Sequence, residues 1–186
     1  GDHGRAEERV TLVADQDFAW NPLLERGDEV AGRVLSAEKK GLANLRVELW
    51  SASASYLWCD STLTNEDGRF AIPNVPPGTY ELHVYTTDPE SAFPVRVLST
   101  VFARSDLGEI VLAPAELVRH TLEVAALDAQ GAPLPGAELR VWSVASGRAA
   151  LVVTADEKGV LSLAGLPNGA YRVELGSALG WRDLGT

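Results

Sequence analysis

The sequence predicts an all-β fold made of two tandem β-sandwiches. Three observations predict it: short segments alternate apolar and polar residues with period two, turn-forming residues punctuate them at short intervals, and one set of landmarks occurs twice.

The alternation comes first. In residues 45–49, Leu45, Val47 and Leu49 face one way and Arg46 and Glu48 the other. In residues 80–85, Tyr80, Leu82 and Val84 face inward, and Glu81, His83 and Tyr85 outward. Successive strand side chains point to opposite faces, so each run buries one face. Outward parity predicts that His83 is a surface residue. No segment keeps a helical period over three turns.

Turn chemistry separates the runs. Glu66-Asp67-Gly68 precedes Phe70, Pro76-Pro77-Gly78 precedes Tyr80, and Pro167-Asn168-Gly169 precedes Tyr171. Asn44 and Gly136 share a repeat position, and both residue types tolerate positive φ.

The repeat fixes the organisation. Trp50 matches Trp142, Gly68 matches Gly159, Gly78 matches Gly169 and Tyr80 matches Tyr171, each pair 91 or 92 positions apart. A first sandwich is therefore expected over residues 28–113, with further strands at Val95–Phe102 and Glu109–Leu112. A second is expected over residues 118–186, short of one closing strand or two. Residues 1–27 hold an isolated strand-like run, Arg9–Ala14, which resembles the closing strand Gly108–Leu112. It is read as the last strand of a preceding module. It is expected to add to a sheet edge, either of the first module or of a neighbour's second module. The chain contains no methionine, so it is read as a processed product or a piece of a longer polypeptide.

Composition narrows the partners. The chain has 186 residues, 46% hydrophobic content and a formal net charge of −10. Such an acidic chain repels phosphate backbones, which argues against nucleic acid. No apolar run is long enough to span a membrane. Cys59 stands alone, so it forms no disulfide within the chain, and no Cys/His cluster has zinc spacing. Cys59 has no histidine near it in sequence and is read as structural or surface-lying, not as a catalytic thiol.

The pieces Gly32-Arg33-Val34, Gly131 to Val141, Asp67 to Phe70 and Pro76 to Leu82 resemble the carboxypeptidase regulatory-like domains. The resemblance covers about residues 30–175, in both modules, and parts of the pattern are shared with transthyretin, collagen-adhesin B-type repeats and intradiol dioxygenases. It implies a seven-stranded, transthyretin-like (prealbumin-like, Ig-like Greek-key) sandwich. It further implies an accessory module of an exported or cell-surface bacterial protein, with no catalysis and no cofactor.

The chemistry of the related sandwiches makes specific demands on residues. Val47–Trp50 followed by Thr64–Phe70 resembles the intradiol dioxygenases, whose iron takes two tyrosinates and two imidazoles. The paired histidines of that family are absent: His83 stands alone, His3 lies in the tail, and His120 opens the second module. Tyr80 is repeated as Tyr171, as a core residue would be. The closing Tyr-Arg-Gly-Ser of the transthyretin-like hydrolases is missing, and so is a zinc carboxypeptidase's ligand set. The Lys–Asn crosslink of collagen-adhesin modules lacks its lysine in Glu29–Leu35 and its asparagine in Gly108–Leu112. Asn65, Glu66 and Asp67 read as an Asx turn before Gly68, not as a calcium site, since the second copy places Lys158 in that turn. Trp50 and Trp142 lie off the core face, and cover a sandwich end or the contact between modules. Tyr56 and Trp58, in a loop after Ser51–Ser55, are the candidate binding residues, for a glycan or a partner protein. The function expected is a non-catalytic structural or spacer module. The first alternative is recognition through those loop aromatics, and the second is an intradiol-dioxygenase-like enzyme.

Overall fold

The computed structural model describes residues 11, 17–19, 21, 27–52, 58–88, 91–144, 151–177 and 180–183. Two sets of strands pack around two separate hydrophobic cores. The fold is all-β, as the alternation predicts, with one four-residue helical turn between the sets.

The first module has seven strands: β1 (Asp28–Ser36), β2 (Arg46–Ser51), β3 (Trp58–Leu63), β4 (Arg69–Val75), β5 (Thr79–Tyr85), β6 (Arg96–Phe102) and β7 (Asp106–Leu112). They form two sheets, ordered β4-β1-β7 and β3-β2-β5-β6. All neighbours are antiparallel except β1 and β7, which run parallel with Leu35 opposite Val111 and Ser36 opposite Leu112. Between the sheets lie Val30, Val34, Ile72 and Leu112 from one and Val47, Leu49, Leu82 and Val84 from the other, all essentially inaccessible to water. Burying each such side chain contributes about 1.5–3 kcal/mol relative to exposing it.

The helical turn α1 (Pro114–Leu117) leads into the second module. Its strands are β8 (Arg119–Ala125), β9 (Glu138–Ser143), β10 (Leu151–Thr154), β11 (Val160–Pro167), β12 (Tyr171–Ser177) and β13 (Gly180–Asp183). The sheets are ordered β11-β8 and β10-β9-β12-β13. Strand for strand this repeats β1 to β6. The registers coincide too: Gly32 faces Phe70 as Val124 faces Leu161, and Leu35 bridges Gly41 as Leu127 bridges Pro133. No counterpart of β7 lies among the described residues, so there β8 has a single neighbour.

Shared turn chemistry explains why the copies coincide. The Asn65 Oδ1 atom accepts the N–H groups of Asp67 and Arg69; Asp156 Oδ1 accepts those of Lys158 and Val160. Each turn then needs a left-handed residue, and Gly68 (φ 77°) and Gly159 (φ 73°) supply it. A Cβ would lie 2.1 Å from the Val34 carbonyl oxygen at Gly68, and 2.6 Å from that of Ala126 at Gly159. Asn44 and Gly136 also take positive φ, 56° and 75°. The two repeated tyrosines each donate a hydrogen bond to a carbonyl four residues back, Tyr80 to Pro76 at 2.6 Å and Tyr171 to Pro167 at 2.7 Å.

Candidate functional surfaces

Among the described residues, the outer face of the β2–β5 pair carries a dense cluster of chemistry-bearing side chains. Register places Arg46 beside Tyr85, Glu48 beside His83, and Trp50 beside Glu81. The Glu48 carboxylate bridges its strand: Oε1 lies 3.2 Å from Arg46 Nε, and Oε2 accepts from Trp50 Nε1 at 3.0 Å. Arg46 stacks over the Tyr85 ring, 4.7 Å from its centroid. His83 Nε2 is 3.1 Å from Glu81 Oε2, and Nδ1 is 3.4 Å from the Tyr85 hydroxyl. A carboxylate only accepts, so Nε2 carries the proton and Nδ1 accepts from Tyr85. The His83 ring sits between those of Trp50 and Tyr85, at centroid distances of 6.1 and 6.2 Å.

Here the structure corrects the sequence reading. His83 does point outward, but it is fully buried, not a surface residue. Its cross-strand and same-strand neighbours are large enough to cover it. A buried imidazole with both nitrogens engaged is part of the packing of this face.

In the second module the same face is plainer. Glu174 stands where His83 does, and Gly176 where Tyr85 does. Arg172 covers Trp142 at 5.5 Å and pairs with Glu174 at 2.6 Å. The two repeated tryptophans thus stand on sheet faces, Trp50 beside His83 and Trp142 under Arg172, while the ring joining the modules is that of Phe93.

Of the predicted binding residues, Tyr56 lies outside the described residues. Trp58 opens β3, with Trp50 as its backbone partner, so it belongs to a strand and not to a loop. Among the described residues no group of three or more His, Cys, Asp or Glu side chains is placed to hold a metal ion. A shallow groove of about 550 Å³ crosses the outer face of the β4-β1-β7 sheet, lined by Ala31, Arg33, Leu63, Arg69, Asp106 and Glu109. Its cations and anions balance, and Arg33 and Glu109 are already engaged with the Asp67 carbonyl and Lys39. No helix among the described residues is long and apolar enough to cross a membrane.

The joint between modules is the other organised surface. Phe93, in the loop between β5 and β6, is 4% exposed and packs into the second module's core, 5.4 Å from the Tyr171 ring. Below it Arg96 grips Glu116 of α1 through two bonds of 2.7 Å, and donates a third to the Val111 carbonyl. The Arg96 hydrogen bonds hold the Glu116 carboxyl below the usual range, and the pairing raises Arg96. From the far side Asn168 Nδ2 donates to the Ala115 carbonyl at 2.6 Å. Arg119 Nε reaches back to Thr86 Oγ1 at 2.8 Å, while burial pushes the neighbouring Tyr171 phenol up. The connecting turn is held from both modules. Phe93 gave no sequence signal, since it lies in a loop with no alternation around it.

These features define a pair of β-sandwich modules joined end to end. Residues 29–101 match the family model of the carboxypeptidase regulatory-like domain. No curated protein matches the sequence. Among solved structures, the chain is similar to the TIE protein of Bacillus anthracis (21% identity, TM-score 0.34), covering 81% of this chain and 28% of that one. A streptococcal ancillary pilin aligns at 14% identity and TM-score 0.37, over 89% and 61% of the two chains. The minor pilin GBS52 of Streptococcus agalactiae aligns at 12% identity and TM-score 0.40, over 85% and 90%. The chain therefore spans less than two thirds of the first two proteins.

Proposed function

We propose that the chain is a non-catalytic structural spacer of an exported or cell-surface protein, in which two sandwiches form one stiff rod. The observation that supports this reading is the joint. A spacer built to bend leaves its linker solvated. Here a ring of one module completes the core of the next, and an arginine–carboxylate fork and an asparagine clamp the turn between them.

Small-angle scattering on Phe93→Ala and on Glu116→Ala tests it. Both are expected to broaden the distribution of end-to-end distances, and Phe93→Ala to cost about 3–4 kcal/mol as a buried ring deletion. A wild-type chain that already scatters as two freely hinged bodies overturns the reading.

A second reading, recognition of a glycan or protein, is favoured by one observation: the Trp50–His83–Tyr85 cluster is specific to the first module. Trp58 is next to Trp50 in backbone register. Glycan arrays and pulldowns with Trp58→Ala and Tyr56→Ala separate it from the spacer reading, which expects no ligand.

A further inference from the structure

The strand-like run Arg9–Ala14 lies, save for Thr11, outside the described residues. The side chains that clamp the joint are described, and one of them is chemically reactive.

The turn between β11 and β12 reads Pro167-Asn168-Gly169-Ala170, and the same turn of the first module reads Pro76-Pro77-Gly78-Thr79. Pro77 in the place of Asn168 shows that the turn itself needs no side-chain amide. The Asn168 amide serves the joint instead. Its Nδ2 donates to the Ala115 carbonyl at 2.6 Å, and its Oδ1 lies 2.5 Å from His120 Nε2. A carbonyl only accepts, so Ala115 fixes which end of the amide is nitrogen, and His120 donates to the oxygen.

The backbone nitrogen that follows an asparagine can close a five-membered ring on the side-chain carbon. Glycine, having no Cβ, hinders that approach least. The asparagines of the chain are Asn21, Asn44, Asn65, Asn74 and Asn168, and they precede Pro22, Leu45, Glu66, Val75 and Gly169. Only Asn168 has a glycine after it. Both members of that pair are exposed, so water and hydroxide reach them. The Gly169 N–H has no acceptor among the described residues, whereas the Gly68 N–H, after Asp67, is tied to the Asn65 carbonyl at 2.8 Å. A Cβ on Gly169 would meet nothing beyond its chain neighbours closer than 3.8 Å, against 2.1 Å on Gly68, so the nitrogen has room to move. The His120 N–H draws electrons from the amide carbon, as donors to a carbonyl oxygen do in acyl transfer.

We propose that Asn168–Gly169 is a self-modification site, whose deamidation loosens the joint between the modules. The Gly169 nitrogen gives its proton to hydroxide and attacks Asn168 Cγ. A C–N bond forms, the Cγ–Nδ2 bond breaks, and ammonia leaves with a proton taken from water. Water then opens the cyclic imide at either carbonyl and leaves aspartate or isoaspartate. In sum, amide and water become carboxylate and ammonia, with no oxidant and no cofactor. A carboxylate has no N–H for Ala115, so two oxygens face each other where a hydrogen bond stood. Isoaspartate also lengthens the main chain of the turn by a methylene. The loosening rests on the rod reading above; the reaction does not.

The test ages the full chain in warm, mildly alkaline buffer and follows it by peptide mass and by small-angle scattering. The peptide that holds residue 168 is expected to gain about 1 Da over weeks. Gly169 lies outside the left-handed region and has space for a methyl group, so Gly169→Ala keeps the fold. That variant should scatter as the fresh parent does and gain mass at least about tenfold more slowly. Asn168→Asp and the aged parent should both show a broader distribution of end-to-end distances. The proposal falls if residue 168 keeps its mass in the folded chain while a free peptide of residues 164–172 converts, since the fold then blocks ring closure. It falls if Gly169→Ala converts as fast as the parent, or if Asn168→Asp scatters as a stiff parent does. A fresh parent that already hinges freely overturns the rod reading and the loosening together, and the mass gain alone then decides the reaction.

Discussion

β1 and β8 occupy corresponding places in the two sets of strands, yet they live in different surroundings. β1 lies between β4 and β7; β8, among the described residues, has only β11 beside it. Where β1 buries Val30 and Leu35 completely, β8 leaves Leu122 partly open, and Leu127, just past its end, is half exposed. The residues concerned are apolar in both modules. What differs is the neighbour. Burial in a sandwich is a property of the pair of strands, so the same pattern yields a tight core or a loose one according to what lies alongside.

The sharpest way to break this comparison is to shorten the paired leucines. Leu35→Ala is expected to cost about 2–4 kcal/mol and Leu127→Ala under about 0.5 kcal/mol, read from denaturant melts of dilute protein. The deep core gives a companion pair: Tyr80→Ala and Leu82→Ala should each cost about 2–5 kcal/mol, and Val173→Ala, the partly buried counterpart of Leu82, about 1 kcal/mol. Equal losses in the two modules would show that the second is as fully closed as the first.

The two sheet faces offer the next comparison. His83→Ala should cost about 1.5–3 kcal/mol, because it empties a buried site and removes its bonds to Glu81 and Tyr85. Glu174→Ala, at the same position of the second module, should cost under about 1 kcal/mol. A silent His83→Ala would return the residue to the surface where parity put it.

The smallest effect sharpens the joint. The Glu116 carboxyl sits lower in the folded chain than in the unfolded one, chiefly through its hydrogen bonds from Arg96. Its contribution is therefore fully present above the ordinary carboxylate range and is lost as pH falls through the lowered value. Glu116→Gln should remove about 1 kcal/mol at neutral pH and nothing at the acid end. A pH-independent difference between variant and parent would mean that the charge is idle.

Much of this architecture was legible from the residues. Period-two alternation located β2 and β5, and Asn65, Gly68 and their partners at Asp156 and Gly159 announced turns whose backbone demands are local. The closing strands around Phe102 and Leu112 were legible for the same reason. The burial of His83 is not legible, because parity assigns a face and says nothing of what covers it; Trp50 and Tyr85 cover it only once β2 and β5 pair. Trp58 reads as a loop residue because no alternation precedes it, although β2 recruits it into the sheet. Phe93 was invisible because its partner, Tyr171, belongs to the other module.

The parallel pairing of β1 with β7 also sets a timetable. The first strand of that module cannot acquire its outer neighbour until residue 112 has been made, so the sandwich closes late, through contacts far apart in sequence. The second module's core then receives Phe93, a ring already positioned by the first. On a growing chain, folding should accordingly travel from the amino to the carboxyl end, each unit offering the next a finished surface to fold against.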